Sequence, residues 1–188
     1  MRWLIVTSCT ARKAATQRPV PAEALYVGEQ HVRLMRGVQG ARARGDAVDL
    51  RIVSARHGLV SGDRRLEVYD ETFVGLSRGA VREVGLSLGL PGAFARLLQA
   101  GGYDQALVLL GEQYLDACDA LEVELGAEAS RVVFLCGHRA AETLRGRGAQ
   151  VIALGPTEAR ELGCGLVGLK GEVAARLMAY ARFTSEAA

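Results

Sequence analysis

Three side chains able to do acid, base or nucleophilic chemistry stand just beyond apolar runs: Cys9 after residues 3–8, and Ser54 and His57 after residues 50–53. A histidine titrates near neutrality, so His57 can donate to a ligand, move a proton or bond a carboxylate. Asp70 and Glu71 are candidate carboxylate partners, Tyr69 can stack on an aromatic ligand, and Thr72 brings a hydroxyl. The stretch Val-Tyr-Asp-Glu-Thr-Phe also reads as a turn entering a helix, with Asp70 as the cap and Phe73 entering the core. Cys9 becomes a nucleophile if Arg12 or a helix N-terminus lowers its thiol pKa; otherwise it fills a small space.

The residues that follow each apolar run have one thing in common. Ser8, Cys9, Thr10, Arg12 and Lys13 follow the first; Ser54, Arg56, His57 and Gly58 the second; Gly111, Glu112, Gln113 and Tyr114 the third. Cys136, Gly137 and His138 follow the fourth, and Gly155, Pro156 and Thr157 the fifth. Most of these ends combine a glycine or small hydroxyl residue with groups that bind polar ligands, although any chain reversal is polar. The first loop suits a phosphate or carboxylate through backbone N–H groups, Thr10, Arg12 and Lys13. It lacks G-x-x-x-x-G-K-[ST] and G-x-G-x-x-G, and the chain has no G-x-S-x-G. The histidines His31, His57 and His138 and the four cysteines have no metal-ligand spacing, so neither a metal nor another cofactor is expected.

The elements that must hold these residues follow from the hydrophobic pattern. Residues 3–8, 47–55, 103–111, 131–137 and 149–155 are short apolar runs of the kind that form buried parallel strands. Residues 22–43 have Leu25, Val32, Met35 and Val38 near helical spacing, which predicts a helix interrupted around Gly28. One or two helices are expected over 77–100, with a start near Pro91, and others over 112–125 and 138–148. The segment 170–183 predicts an amphipathic helix with Val173, Leu177, Tyr180 and Ala181 on its apolar face. Residues 56–77 read as a polar excursion. Alternation of strands and helices predicts a single three-layer α/β domain over 1–188, with a mostly parallel sheet of about five strands. In such a sheet ligands bind at the carboxyl ends of the strands.

Composition bounds the function. With 49% hydrophobic and 23% charged residues the chain is expected to fold as a globular protein. Cys9, Cys118, Cys136 and Cys164 are widely spaced and form no C-x-x-C, which argues against a disulfide scaffold and for a reduced, cytoplasmic setting. No apolar run approaches the length of a membrane span, and the first residues turn basic too soon for a secretory signal. The formal charge of +2 hides an asymmetry: residues 1–65 hold 12 Arg or Lys against 5 Asp or Glu, a net of +7. A basic face of that kind attracts phosphate or nucleic acid, unless these are ordinary solvated side chains.

Four motifs together resemble a largely uncharacterised family of small bacterial and phage proteins, of the DUF6884 type. They are Cys9 with Arg12 and Lys13; Leu25, Tyr26 and Gly28; Ser54, Ala55, His57, Gly58 and Leu59; and Tyr69, Asp70 and Thr72. Val68 stands where that family often has proline. The family is remotely similar to YaaA-type peroxide-stress proteins and to the uracil-DNA-glycosylase-like domain of archaeosine-synthesis enzymes. That similarity implies a nucleobase, nucleotide or nucleic-acid ligand, DNA or RNA included, and chemistry at a base or an N-glycosidic bond. In such a reaction Asp70 would orient water or stabilise charge on the sugar, and His57 would contact the base. Tyr26 or Tyr69 would stack, and Arg12, Lys13 and Arg56 would hold phosphate. Two other readings stay open: a noncatalytic nucleotide-binding protein, and an interaction protein whose strand-end residues only secure turns.

Overall fold

The computed structural model describes residues 1–181. In chain order the elements are β1 (Arg2–Ser8), β2 (Val20–Pro21), α1 (Ala22–Leu25), α2 (Glu29–Ala43), β3 (Ala47–Ser54), β4 (Gly58–Ser61) and β5 (Arg65–Leu66). They continue with α3 (Arg78–Ser87), α4 (Leu90–Gln99), β6 (Gln105–Leu109), α5 (Glu112–Ala117) and, after a 3-10 turn, β7 (Val132–Cys136). The last are α6 (His138–Gly146), β8 (Gln150–Ala153), α7 (Pro156–Glu161) and α8 (Leu169–Tyr180).

Six strands form one sheet in the order β4-β3-β1-β6-β7-β8. The five apolar runs make its parallel part: β1 pairs in parallel with β3 and β6, and β6, β7 and β8 follow in parallel. In β1 and β6 the residues are buried on both faces, Trp3–Thr7 and Ala106–Leu109 without a break, which is why these runs are apolar without alternation, whereas β8, at the edge, is only half-buried. By the right-handed rule for parallel crossovers, α2, with α8 packed on it, lies on one face and α3, α4, α5 and α6 on the other, giving the expected three-layer α/β domain.

The helix expected over 112–125 stops at Ala117, and the structure differs from expectation in three further places. The polar excursion holds β4, which pairs antiparallel to β3 and adds a sixth strand at the edge, and β5, which forms a two-residue ladder with β2. The segment after β8 holds α7, with Pro156 in its first turn. The third difference concerns α8. Instead of Val173, Leu177 and Tyr180, it fully buries Leu169, Gly171, Ala174 and Met178, and Tyr180 is 65% exposed. A Cβ on Gly171 would stand 2.1 Å from the Gln30 carbonyl oxygen, and one on Gly37 would stand 2.5 Å from the Ala175 Cα. Small residues therefore let α2 and α8 approach backbone to backbone, and that close contact, rather than the largest apolar side chains, selects the buried stripe. Arg182 and Phe183, at the end of the expected helix, lie outside the described residues.

The predicted break near Gly28 is present, with Gly28 as the N-cap of α2. A second break separates α3 from α4 at Gly89, whose φ of 65° suits glycine.

Candidate functional site

From β1 the chain runs to β3 on one side and later returns to β6 on the other, so the strand order reverses between β1 and β6. A doubly wound sheet opens a crevice at the carboxyl ends there. Gln30 Nε2 spans this line, donating to Thr7 Oγ1 and to the Leu109 carbonyl, each at 3.2 Å. Cys9 extends the β1 ladder by donating its N–H to the Val53 carbonyl at 2.9 Å. Its Sγ lies 3.0 Å from the hydroxyl of Tyr114, which α5 presents just after β6. One thiol–phenol contact thus bridges the switch point. Phe73 supports it from behind, with its ring 5.0 Å from that of Tyr114 and its carbonyl accepting from Gln113 Nε2 at 2.8 Å.

Beside this bridge runs a chain of hydroxyls. Tyr26 Oη and Tyr69 Oη are 2.7 Å apart, and Tyr69 Oη is 2.8 Å from Ser54 Oγ. Ser54 Oγ in turn accepts the backbone N–H groups of Arg56 (3.2 Å) and His57 (3.0 Å), which fixes the turn leaving β3. The His57 ring meets Tyr69 edge-on at 5.1 Å, and Lys13 Nζ lies 4.4 Å over the Tyr69 ring. Burial pushes the Tyr26 phenol up to about 12 and raises Tyr69 and Tyr114 as well, with the neighbouring Cys9 adding to each rise. All three phenols stay protonated at neutral pH and act as hydrogen-bonding groups, not bases.

The structure therefore brings Cys9, Lys13, Tyr26, Ser54, His57, Tyr69 and Tyr114 into one cluster. It also corrects the stacking role expected of the tyrosines. Tyr26 is 1% and Tyr69 4% exposed, and Lys13 lies over a face of Tyr69 where a base would have to stack. These rings are the frame of the site.

At the rim, His57 is half-buried, and its pKa is lowered by burial and by the positive fields of Arg64 and Arg56, so the neutral imidazole prevails at neutral pH. Asp70 is exposed, and among the described residues no hydrogen bond or ion pair holds its carboxylate. It is not a helix cap: α3 is capped by Ser77, whose Oγ accepts from the Ala80 N–H at 3.3 Å. Glu71 instead pairs with Arg56 at 2.7 Å. Thr72 Oγ1 accepts from the Val74 N–H and is used in its own turn.

The other expected ligand-binding residues divide. Thr10 Oγ1 donates to the Arg12 carbonyl at 2.7 Å and accepts from the Gly28 N–H at 3.2 Å, while the Arg12 side chain is exposed. A Cβ on Gly28 would meet Thr10 Cβ at 2.7 Å, so Gly28 allows the first loop to seat on α2. Ser8 ends β1 half-buried. Gly58 is buried at a φ of 70° and turns the chain from β3 into β4. Gly111 and Gly137 are the N-caps of α5 and α6, and a Cβ on either would meet no atom within 4 Å. Cys136 is buried, and exposed His138 stands 3.5 Å from Glu158.

Lys170 and Gln30 went unnoticed in the sequence. Lys170 Nζ donates to the Leu110 carbonyl at 2.6 Å, just past β6, and burial lowers its pKa. Its one available signal is rarity, since Lys13 and Lys170 are the only lysines. Among the described residues no group of three or more His, Cys, Asp or Glu could hold a metal ion, and no helix is long and apolar enough to cross a membrane.

Residues 4–145, about three quarters of the chain, match a family described as a family of unknown function, DUF6884. No curated protein and no solved structure matches. The matched region runs from β1 to the last turn of α6 and so contains the whole thiol–phenol cluster, whereas Lys170 and α8 lie beyond it. On that match the chain belongs to the DUF6884 family.

Proposed function

We propose that the protein binds a nucleobase-containing ligand in the crevice at the ends of β1, β3 and β6 and acts at its N-glycosidic bond. The observation that carries this reading is the Cys9–Tyr114 and Tyr26–Tyr69–Ser54 network, which fixes the His57 backbone at the carboxyl end of β3. The remote resemblance to uracil-DNA-glycosylase-like and YaaA-type proteins supplies the substrate class. In the reaction the bond between the sugar C1′ and the base nitrogen breaks, and water supplies the new C1′ oxygen. Neutral His57 donates a hydrogen bond to the departing base, where negative charge develops. Asp70 takes the proton of the attacking water and faces the positive charge on the sugar. Arg12, whose guanidinium has no carboxylate partner among the described residues, is the better phosphate contact, because Arg56 is engaged by Glu71.

Mass spectrometry of the purified protein for a retained ligand identifies the substrate class, and turnover assays on that class follow. Asp70→Asn should lower kcat by roughly 100-fold or more and leave Tm in place, since the carboxylate has no structural partner. Unchanged turnover removes Asp70 from the mechanism. The exposed, unpartnered state of Asp70 favours a second reading, a noncatalytic nucleotide-binding protein. That reading requires binding without product, indifferent to Asp70→Asn. The four free cysteines fit a reducing compartment in either case.

A further inference from the structure

The half-buried lysines and arginines among the described residues are Lys13, Arg33, Arg51 and Lys170, and all but one have a partner for their charge. Arg33 pairs with Glu29 and Glu172, and Arg51 with Asp49. Lys13 Nζ lies over the face of Tyr69. Lys170 has neither kind of partner. Among the described residues no carboxylate pairs with it, and its Nζ donates to a single acceptor, the Leu110 carbonyl, at 2.6 Å. An ammonium carries three donors, and a charge drawn out of water is stable only when paired. One carbonyl leaves both the charge and two donors to be met by a group from outside the chain.

Packing puts this ammonium at the strand ends. Because Gly171 has no side chain, the first turn of α8 rests on the backbone of α2 at Gln30 and Leu34. Side chains of the two helices therefore reach the end of β6 together. Gln30 Nε2 bonds the Leu109 carbonyl, and Lys170 Nζ bonds the next one, Leu110, a residue nearer the carboxyl end. The residue after that, Gly111, faces open space, since a Cβ there would meet no atom within 4 Å. Thr7 pairs with Ile52 on one side and with Leu109 on the other, which sets Leu110 level with Val53. Only β1 lies between β3 and β6. The ammonium thus stands two strand spacings, roughly 10 Å, from the end of β3, where Ser54 fixes the turn of His57. A nucleotide with its base at one end and its phosphate at the other bridges such a span.

We propose that Lys170 holds a phosphate group of the ligand whose base lies beside His57. This rests on the nucleobase reading above and adds a charge to it, so the ligand is a nucleotide and not a free base or nucleoside. Arg12 stands exposed on the loop after β1 and suits a phosphate that stays in solvent, whereas Lys170 suits one drawn in to the end of β6. Lys170 lies outside residues 4–145, so the family match does not supply this contact.

The test is isothermal titration calorimetry of the wild type, Lys170→Met and Arg36→Ala with the common ribonucleosides and their 5′-monophosphates. Methionine keeps the length of the side chain without its charge, and Arg36 is an exposed cation of α2. The wild type should bind at least one monophosphate tighter than its nucleoside by roughly 10- to 100-fold, the worth of one charged hydrogen bond. Lys170→Met should abolish that gain and leave nucleoside affinity in place, while Arg36→Ala should change neither. A gain that survives Lys170→Met, or that Arg36→Ala reduces equally, overturns the role of Lys170 and leaves the nucleobase reading standing. A dinucleoside monophosphate identifies the source: a gain it shares assigns the phosphate to a strand, and a gain confined to the monophosphate assigns it to a free nucleotide. A second measurement needs no variant of Lys170. Lys13 and Lys170 are the only lysines, so protein labelled with 13C-lysine gives two Cε signals, and Lys13→Arg tells them apart. The Lys170 signal should move saturably with inorganic phosphate and stay still with chloride at equal ionic strength. If it moves while no nucleoside binds and no monophosphate binds tighter than phosphate itself, the anion site stands and the nucleobase reading fails. If it stays still with phosphate and with every monophosphate, the proposal fails.

Discussion

The carboxyl ends of β1 and β3 and those of β6 and β7 face one edge of the sheet, but they are built differently. The first pair is filled: Cys9, Tyr26, Ser54 and Tyr69 are buried and bonded, and even Gly28 has Thr10 against it. The second pair is open, with Gly111 and Gly137 facing no atom within 4 Å of a Cβ position. Both ends carry the same kind of polar and glycine residues in sequence. The difference shows that polar groups at strand ends can be a scaffold as readily as a contact surface, and that burial and partners decide which.

Breaking the filled end should cost most. Ser54→Ala removes an oxygen that accepts two backbone N–H groups and meets Tyr69, all at a fully buried position. The expected loss is about 3 kcal/mol, read as a Tm lowered by roughly 6–12 °C in a thermal melt; a change under about 1 °C would mean that the network is not structural. Gly28→Ala should come next, at about 1–3 kcal/mol, because its Cβ would overlap Thr10.

A smaller effect comes from behind Tyr26, where His31 packs edge-on at 5.8 Å. Its Nε2 lies 2.9 Å from the Glu23 carbonyl, an acceptor only, so that nitrogen carries the proton and the buried Nδ1 is left without a partner. Burial lowers the pKa of His31 from its ordinary 6.5. The unfolded chain therefore takes up a proton first, so stability is full above about pH 6.5 and falls as pH drops from there. His57, shifted the same way, adds to that slope. His31→Phe should flatten the Tm-against-pH curve between 5 and 7, whatever it does to Tm itself. The smallest effect belongs to the open end, where Gly137→Ala should cost less than about 1 kcal/mol, the loss of a modest N-cap. A larger loss would show that this end is filled too.

The five parallel strands were legible in sequence as short apolar runs, continuous where both faces are buried, as in β1 and β6. β4 was not, since Leu59 and Val60 make too short a run and the strand exists only by pairing with β3. The buried stripe of α8 was illegible for a different reason: Gly171 and Ala174 carry no hydrophobic signal, and their importance comes from the distance to α2. At the site, Cys9, Ser54, His57 and Tyr69 were visible as polar groups at strand ends. Their partners were not, because the contact of Cys9 with Tyr114 depends on the order of strands in the sheet. Asp70 drew attention by type and position, neither of which reports burial or bonding.

The α2–α8 crossing also bears on how the chain is made. Leu34, Val38 and Ala41 lie on the buried face of α2, while the helix that crosses it is made only after the other strands of the sheet. Between Ala43 and Tyr180 a ribosome adding 5–20 residues per second needs on the order of ten seconds. Throughout that interval the β1–α2–β3 unit has its apolar flank uncovered. Until α8 is made, α2 lacks the cover it has in the folded molecule.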